Sequence, residues 1–408
     1  MDILFIHQNF PGQFRHLSHQ LAKAGHRVVA LGDTDNLKKL ERIPHVHTVG
    51  YPTPPAANGS GHFYLFSTEN AIRRGQAVVR ACLALQKEGL RPEVVVVHAG
   101  WGEGLFLREV FPRAKIMAYF EYYYQAKGGD VDFDPEFAKS SLDDLCRLRV
   151  RNTTHLLTLQ ACDMGWSPTR WQASRFPEPH ASQMLVVHEG IDTQLVQPAS
   201  QPPLEVAGKT FAPEDEVITY VARNLEPYRG FHQLMRLLPE VLHQRPRAQV
   251  IIVGGDGVSY GKPPPQGENW RTFMLQEVGD RLDRERVHFT GKLPYLQYLK
   301  VLQRSNVHLY WSYPFVLSWS LMEAMAAGCA IVASRTPPVE EVIQDGVQGH
   351  LVDFFAKENW IQKIVHTLEG DNKAMRQAAR ATIQENYDLH QKTLPLQLQR
   401  FYELAGKR

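Results

Sequence analysis

Short apolar runs alternate with longer amphipathic segments along this chain. Residues 2–7 form a mostly continuous apolar run, as in a strand that is buried on both faces. Phe14, Leu17 and Leu21 then recur at helical spacing, and a second apolar run follows at residues 27–31. Because a strand, a helix and a strand follow one another so closely, we expect a βαβ unit with a right-handed crossover and a parallel sheet.

The same alternation predicts the rest of a first sheet. A long helix is predicted at residues 71–88. Further strands are predicted at residues 93–98, 115–120, 156–159 and 184–187. The pattern thus indicates an N-terminal α/β domain, which we place at residues 1–195.

Periodicity is lost at residues 194–214, where prolines accumulate as they do in a linker. The alternation then restarts, which indicates a second α/β domain at residues 215–385. A C-terminal helix at residues 386–408 is expected to pack back on the first domain. The second domain contains a predicted helix at residues 231–243, a polar loop at residues 254–270, and strands at residues 217–221, 249–253, 287–289, 307–310 and 330–333.

Two α/β domains in tandem agree with the length of 408 residues, which exceeds the usual size of one compact core. We expect the carboxyl ends of both sheets to border a cleft. Open α/β sheets bind their ligands at that place.

Charge and composition narrow the classes of function. The 45 basic and 43 acidic residues leave a formal net charge of +2, so we expect no nucleic-acid partner. The four cysteines show neither a Cys-x-x-Cys pair nor zinc-type spacing, which indicates reduced, inert thiols. We see no signal peptide and no apolar stretch of the roughly 20 residues that a membrane span needs. We therefore expect a cytoplasmic protein whose association with a membrane is at most peripheral.

Candidate chemistry lies in loops that follow predicted strands. Gly12, between the first strand and the first helix, would let the backbone approach an anion at a helix N-terminus. Arg223 and Arg229 flank the loop after the first strand of the second half. Their planar guanidinium groups suit phosphate oxygens, so we interpret the pair as an anion site rather than as two surface cations.

A third group of residues joins a loop to a helix near position 323. The first turn of this predicted helix carries Glu323, and mostly small residues at positions 324–328 would let the helix pack close to the sheet. The amides before it can face an anion, with the helix dipole behind them. The carboxylate can accept hydrogen bonds from vicinal sugar hydroxyls, or it can simply complement the dipole.

These segments occur in a recognisable order along the chain. In the second half they are Arg223, residues 229–230, residues 289–293 and residues 321–328, and in the first half residues 166–169 and 186–192. The ordered set resembles that of the retaining glycosyltransferases of family 4. The resemblance spans nearly the whole chain and implies the GT-B fold, in which two Rossmann-like domains with parallel sheets face each other across a cleft.

By position, the resemblance implies how a nucleotide-sugar donor would be bound. Arg223 and Arg229 would bind the donor diphosphate, with Arg229 standing where the family usually has lysine. Glu323 would hold the ribose hydroxyls as the second glutamate of a Glu-x7-Glu motif, and Gly12 would approach the phosphates from the other domain. The base would be bordered by the backbone of three consecutive residues, Gly291, Lys292 and Leu293.

The resemblance also implies the reaction. Members of the family transfer a sugar to a saccharide, a lipid-linked acceptor or a small molecule, often in polysaccharide or glycoconjugate biosynthesis. They retain the anomeric configuration, generally by front-face attack, and use no metal and no other cofactor. In line with this we interpret Asp33 and Asp35 as loop residues rather than metal ligands.

The chain departs from the family pattern where the donor sugar would lie. The first glutamate of the motif falls on Phe315, which cannot bond sugar hydroxyls, and the usual Gly-Phe-Gly stretch is replaced. Either the donor carries a deoxy position or an N-acetyl group near Phe315, or Ser318 and Ser320 supply polar contacts, or Phe315 turns into the core. The predicted donor-binding residues in this stretch are Phe315, Ser318, Trp319, Ser320 and Leu321.

Two residues of the first half are candidates for catalysis. The family's active-site histidine falls on Glu121, and His98, which follows four valines, is the nearer histidine. The alternative is that His98, at the end of a predicted strand, is a structural residue.

Other functions remain open. A nucleotide-sugar epimerase of the same fold would turn over its donor without an acceptor. A non-catalytic nucleotide-sugar or glycan-binding protein, which Phe315 suggests, would bind the donor without transfer. A nicotinamide-dependent oxidoreductase is disfavoured because neither half carries the glycine fingerprint.

Overall fold

The computed structural model describes residues 1–199 and 203–407. It divides into two compact units. Unit 1 comprises residues 1–190 and 389–408, and unit 2 comprises residues 191–388. None of the described helices has the length and the apolar composition of a membrane-spanning helix.

Unit 1 is built around a parallel sheet of seven strands in the order β3-β2-β1-β4-β5-β6-β7. Every residue of β4 is buried, and four of its five residues are valine, which suits the interior of a parallel sheet. The strands are β1 (Asp2–Ile6), β2 (Arg27–Asp33), β3 (His47–Tyr51), β4 (Val94–His98), β5 (Lys115–Tyr119), β6 (Met164–Ser167) and β7 (Leu185–Val186).

Helices connect these strands. The longest, α3, begins five residues before the predicted helix at residues 71–88 and ends one residue before its predicted end. The helices are α1 (Arg15–Lys23), α2 (Thr34–Leu37), α3 (Phe66–Lys87), α4 (Leu107–Val110), α5 (Leu142–Arg151), α6 (Thr153–Ala161), α7 (Arg170–Ser174) and α8 (His180–Gln183).

One strand predicted in unit 1 is wrong, and two of its strands, β3 and β6, were not predicted. Residues 156–159 lie inside α6, where Leu159 is buried and Leu157 is 52% exposed, the one-sided burial of a surface helix. The actual strand is β6, whose short sequence contains a glycine and a fully buried Trp166. The strand β3 was missed because it is only partly buried and lacks a continuous apolar run.

Unit 2 repeats the architecture with a parallel sheet of six strands in the order β12-β11-β10-β13-β14-β15, beside a two-stranded antiparallel hairpin. The hairpin strands are β8 (Leu204–Val206) and β9 (Lys209–Phe211). The sheet consists of β10 (Glu216–Asn224), β11 (Ala248–Gly255), β12 (Val287–Gly291), β13 (Val307–Tyr310), β14 (Ile331–Ser334) and β15 (His350–Val352).

Seven helices are described in unit 2. α9 matches the predicted helix at residues 231–243 closely, because its apolar face is buried along its whole length. The helices are α9 (Phe231–Gln244), α10 (Trp270–Val278), α11 (Tyr295–Arg304), α12 (Trp319–Ala326), α13 (Pro337–Glu340), α14 (Lys357–Glu369) and α15 (Lys373–Asn386).

The predicted linker at residues 194–214 is only partly correct, since it contains the hairpin formed by β8 and β9. Leu204, Val206 and Phe211 anchor this hairpin in a core that it shares with β10 and β11. Part of the predicted linker, residues 200–202, lies outside the described residues. The predicted α/β fold with two parallel sheets is otherwise confirmed.

The C-terminal segment of unit 1 contains α16 (Leu394–Leu404), which packs on α1. Phe401 is fully buried in the core around Phe14 and Leu17. The hydroxyl of Tyr402 lies 3.0 Å from Nε2 of His26. The C-terminal helix thereby covers one face of the first sheet.

Candidate active site

The carboxyl ends of neighbouring strands in unit 2 gather the predicted nucleotide-binding residues at one edge of the sheet. β11 lies between β12 and β10, and β13 pairs with the other side of β10. The register sets Asn224 beside Gly255 and Val253 beside Gly291. The end of β12, and with it Lys292, therefore reaches the same edge as the end of β10.

Arg223 and Lys292 are exposed cations at this edge. Within residues 1–199 and 203–407, neither side chain forms a hydrogen bond or an ion pair with another residue. A Cβ atom at Gly255 would lie 2.7 Å from Cε of Lys292, so the glycine leaves space for the lysine stem. The two cations are thus available to an anionic ligand.

Arg229 has a different environment although it is only six residues from Arg223. It ends a short 3-10 turn and is only 7% exposed. Its guanidinium donates hydrogen bonds to the Tyr310 hydroxyl at 3.0 Å, to Ser312 Oγ at 2.7 Å and to the Val316 carbonyl at 3.1 Å. These bonds connect the turn to the segment that precedes α12, so the buried Arg229 stabilises the loops of the site.

The polar loop after β11 is fixed to the same turn by Glu226. Its carboxylate is 1% exposed and accepts hydrogen bonds from the backbone amides of Ser259, Tyr260 and Gly261 at 2.9–3.3 Å. The guanidinium carbon of Arg229 lies 5.7 Å from the centre of the Tyr260 ring. The loop therefore packs over the arginine rather than extending freely.

Phe315 is buried, with 4% of its surface exposed. Its ring makes edge-on contacts with Tyr228 and Tyr260, with ring centres 5.5 Å and 4.9 Å apart. Of the interpretations offered for this residue, the burial agrees with a side chain turned into the core.

The other predicted donor-binding residues of the stretch after Phe315 form the start of α12. The side chain of Ser318 caps the helix by accepting from the Ser320 amide at 3.3 Å, and the two hydroxyl oxygens lie 2.8 Å apart. The Ser318 amide donates to Tyr310 at 3.1 Å. Trp319 is 45% exposed, whereas Leu321 is fully buried. A ligand at this helix end would therefore meet serine hydroxyls and an indole ring, and Leu321 acts through packing.

Glu323 lies in the second turn of α12, not in the first turn as the sequence predicted. Its two oxygens accept hydrogen bonds from the hydroxyls of Tyr295 and Tyr298, each at 2.7 Å. Burial raises the pKa of Glu323 above its ordinary value, and the two tyrosine bonds act in the opposite direction. The carboxylate is thus too far into the helix to serve mainly as a partner of the dipole.

In unit 1, Gly12 lies beside a group of polar side chains at the carboxyl edge of the first sheet. Gly12 has a φ of +45°, and a Cβ atom there would collide with the ring of His7. His7 accepts the Asn9 amide at Nδ1 and faces Gln13 Oε1 at 2.8 Å through Nε2, so the proton is on Nε2. Burial lowers the pKa of His7 to about 4, against the effect of the Gln13 bond.

Glu121 and His98 belong to the same group. Gln13 donates to Glu121 Oε1 at 3.2 Å, and Nε2 of His98 lies 4.0 Å from Glu121 Oε2. His98 is 1% exposed, stacks on Trp101 and accepts the Gly100 amide at Nδ1. Burial, followed by the neighbouring His7 and His155, holds the pKa of His98 well below its ordinary range.

The Nε2 atom of His98 is buried and has no hydrogen-bond partner among the residues that the structure describes. Its neutral ring carries the proton on Nε2, because Nδ1 already accepts a hydrogen bond. The structure thus brings together Gly12, His98 and Glu121 of the predicted set, and supplies a free donor beside a carboxylate.

Sequence reasoning missed several residues of both groups. His7 and Gln13 flank Gly12 in sequence, and a polar residue at a strand end was an available signal for His7. Tyr295 and Tyr298 lie three residues apart at the start of a helix, but nothing in the sequence pairs them with Glu323. The same is true of Glu226, whose partners lie more than thirty residues away.

Two protein families match this chain in succession. Residues 24–196 match the family described as "Glycosyl transferase family 4 group". Residues 205–384 match the family described as "Glycosyl transferases group 1". The chain belongs to the group 1 glycosyltransferases of the family 4 type.

The curated relatives are distant and match in part. A D-inositol 3-phosphate glycosyltransferase of Segniliparus rotundus is 25% identical over 48% of this chain and 42% of its own length. One of Mycolicibacterium smegmatis is 26% identical over 48% of this chain and 43% of its own. The chain thus spans less than half the length of these relatives.

Solved structures match over the whole chain. Sucrose-phosphate synthase of Thermosynechococcus elongatus has a TM-score of 0.73 at 17% identity and covers 98% of both chains. Anabaena HepE, solved in complex with UDP and glucose, has a TM-score of 0.66 at 16% identity and covers 99% of both chains. These similarities confirm the GT-B fold.

Proposed function

We propose that this protein transfers a sugar from a nucleoside-diphosphate sugar to a hydroxyl group of an acceptor. The observation that carries the proposal is the pair of exposed cations, Arg223 and Lys292, at the carboxyl edge of the second sheet in a chain of this family. Neither cation has a side-chain partner among the residues that the structure describes. Lys292 is three residues from Tyr295, which bonds Glu323. Lys292, a group suited to a diphosphate, therefore lies on the loop that leads into α11, and α11 contacts Glu323, the group suited to a ribose, through Tyr295.

Each group has a role that its environment supports. Arg223 and Lys292 would bind the diphosphate by charge-assisted hydrogen bonds. Glu323 would accept the ribose hydroxyls, and the backbone of residues 291–293 would border the base. Arg229, which is already bonded to three groups of its own unit, would position the loops around the diphosphate instead of contacting it.

The proposed reaction retains the configuration at the anomeric carbon. The bond between this carbon and the diphosphate oxygen breaks, and the acceptor oxygen bonds to the same face of the sugar. The acceptor proton passes to the leaving diphosphate oxygen. Arg223 and Lys292 stabilise the negative charge that develops on the diphosphate, so no metal ion is required in this scheme.

His98 and Glu121 are proposed to bind sugar hydroxyls. The Nε2–H of neutral His98 is a donor without a partner among the described residues, and the neighbouring Glu121 carboxylate is an acceptor. A hydroxyl group can accept from one and donate to the other. Anabaena HepE has been solved in complex with UDP and glucose and with UDP-glucose, which makes UDP-glucose the first donor to examine.

The experiment is a thermal-shift screen against UDP-, GDP-, ADP- and dTDP-sugars, followed by an assay of transfer to mono- and oligosaccharide acceptors. A donor at 100 times its Kd should add about 2.7 kcal/mol to the free energy of unfolding. Transfer should persist in EDTA and should fall in the Glu323→Gln variant. Failure of every donor to stabilise the protein refutes the proposal, and activity that requires added Mn²⁺ refutes the metal-free scheme.

The replacement of the family glutamate by buried Phe315 favours a second candidate, a protein that binds the donor without transferring its sugar. This candidate predicts stabilisation by a donor, no product with any acceptor, and an intact donor after prolonged incubation. Release of the free nucleoside diphosphate excludes it.

A further inference from the structure

The two tyrosines that hold Glu323 lie one helical turn apart on α11. Residues three apart share a face of a helix, so both hydroxyls can reach the same carboxylate. Tyr295 donates to Oε1 and Tyr298 donates to Oε2, each at 2.7 Å. A ribose bound by a glutamate likewise donates two vicinal hydroxyls to one carboxylate. The tyrosines therefore make the kind of bonds that a ribose would make.

The two tyrosines differ in their freedom to move. Tyr298 is 8% exposed, and its ring belongs to a core that also contains Leu302 and Leu321. Tyr295 is 46% exposed and is not part of that core. A half-exposed side chain can change rotamer into solvent without opening the core, whereas a buried one cannot.

We propose that Tyr295 occupies the position of a ribose hydroxyl on Glu323 in the unliganded protein and leaves when a nucleotide binds, while Tyr298 stays and orients the carboxylate. This inference rests on the proposed function, because it takes Glu323 as the ribose ligand. Tyr295 competes with the nucleotide and so limits its affinity. Tyr298 is a positioning residue.

The proposal gives the two tyrosines opposite effects. Without the Tyr295 hydroxyl, Oε1 of Glu323 has no internal donor to displace, and a ribonucleotide binds more tightly. Without the Tyr298 hydroxyl, the carboxylate loses the bond that fixes it, and the nucleotide binds more weakly. One net hydrogen bond corresponds to a change in Kd of about three- to tenfold in each direction.

The test compares Tyr295→Phe, Tyr298→Phe and Glu323→Gln with the wild type by calorimetric titration with UDP, ADP and GDP. Tyr64→Phe is the matched control, because Tyr64 also donates to a carboxylate, that of Asp143, in unit 1. For the nucleotide that binds, we expect Kd to fall in Tyr295→Phe, to rise in Tyr298→Phe and Glu323→Gln, and to stay unchanged in Tyr64→Phe. Thermal melts verify that each variant is folded.

A second ligand separates competition from a general change at the site. If UDP is the nucleotide that binds, 2′,3′-dideoxyuridine diphosphate brings no hydroxyl to Glu323, so Tyr295→Phe should not bind it more tightly than the wild type does. The corresponding dideoxy compound serves for ADP or GDP. An equal gain for both ligands overturns the proposal.

The outcomes also separate this inference from the proposed function. If Glu323→Gln weakens nucleotide binding but Tyr295→Phe binds like the wild type or more weakly, the carboxylate binds ribose and the competition by Tyr295 is refuted. If none of the three nucleotides binds the wild type, the proposed function fails and this inference fails with it.

Discussion

The carboxyl edges of the two sheets carry polar groups that differ in charge. In unit 1 the edge is built from His7 and His98, which burial keeps neutral, together with Trp101, on which His98 stacks, and Glu121. In unit 2 the corresponding edge presents the exposed cations Arg223 and Lys292. Both edges arise from the same βαβ architecture, so the difference comes from the residues in the loops.

Under the proposed function, this difference would separate the binding of a diphosphate from the binding of a sugar. A diphosphate is bound by positive charge, which exposed guanidinium and ammonium groups carry at neutral pH. A neutral sugar needs donors and acceptors that do not attract ions, and a neutral imidazole beside a carboxylate provides them. The three predictions that follow test the comparison, beginning with the largest effect that is expected of a single side chain.

The largest effect is expected for the buried arginine of unit 2. Arg229→Ala leaves a cavity and removes the hydrogen bonds to Tyr310, Ser312 and Val316. We expect the free energy of unfolding to fall by about 3 kcal/mol, measured by urea denaturation followed by circular dichroism. The matched variant Arg223→Ala removes an exposed guanidinium and should cost less than about 0.5 kcal/mol. Equal losses in the two variants would contradict the different roles assigned to these arginines.

The next effect concerns the neutral histidines of unit 1. Burial lowers the pKa of His7 to about 4 and that of His155 to about 4, from 6.5. Between these values the unfolded chain binds more protons than the folded one, so stability is lost as the pH falls. We expect His7 and His155 each to lower the free energy of unfolding by about 2 kcal/mol between pH 7 and pH 5. His98, whose pKa is also held low by burial, adds to this loss.

Glu103 acts against these histidines. Burial raises the pKa of this carboxyl to about 7 from 4.5, so the folded state takes up a proton here as the pH falls. Between pH 7 and pH 5 this protonation raises the free energy of unfolding by about 2 kcal/mol. Glu103→Gln should therefore steepen the loss of stability. Hydrogen exchange of peptides that cover β1 and β4, corrected for the intrinsic effect of pH, measures both the loss and its increase. A flat profile in the variant would show that the histidines do not control this range.

The sequence predicted the sheets better than the contacts between loops. Val94–Val97 form a buried strand because a run of valines has few other stable environments. The run at residues 156–159 was assigned wrongly because three leucines and a threonine fit one turn of a helix as well as a short strand. Periodicity alone could not separate these two structures.

The environments of individual site residues depend on tertiary contacts that no local pattern encodes. Arg223 and Arg229 are chemically identical and six residues apart, yet one is exposed and the other is buried by the segment before α12. Likewise, the pairing of Glu323 with Tyr295 requires α11 and α12 to be in contact. The sequence could predict that these residues lie at the same edge of the sheet, but not which of them face solvent.

The smallest of the three effects concerns the exposed cations, and it tests the electrostatic half of the comparison. Arg223→Ala and Lys292→Ala should each weaken binding of a nucleoside diphosphate about tenfold, because a charge-assisted hydrogen bond to phosphate is worth about 1.5 kcal/mol at an exposed site. Lys300→Ala is the matched control, since Lys300 is an exposed lysine in the middle of α11. Calorimetric titration at two salt concentrations measures the effect.

The dependence on salt decides whether charge is the cause. Exposed charges are screened by salt, so the affinity of the wild type should fall as ionic strength rises, and it should fall less in Arg223→Ala and Lys292→Ala. A loss of affinity that is equal at both salt concentrations would mean that the side chains act through loop structure. In that case the edge of unit 2 would bind its ligand by shape and hydrogen bonding, as we propose for the edge of unit 1, and the contrast between the two edges would no longer explain the division between diphosphate and sugar.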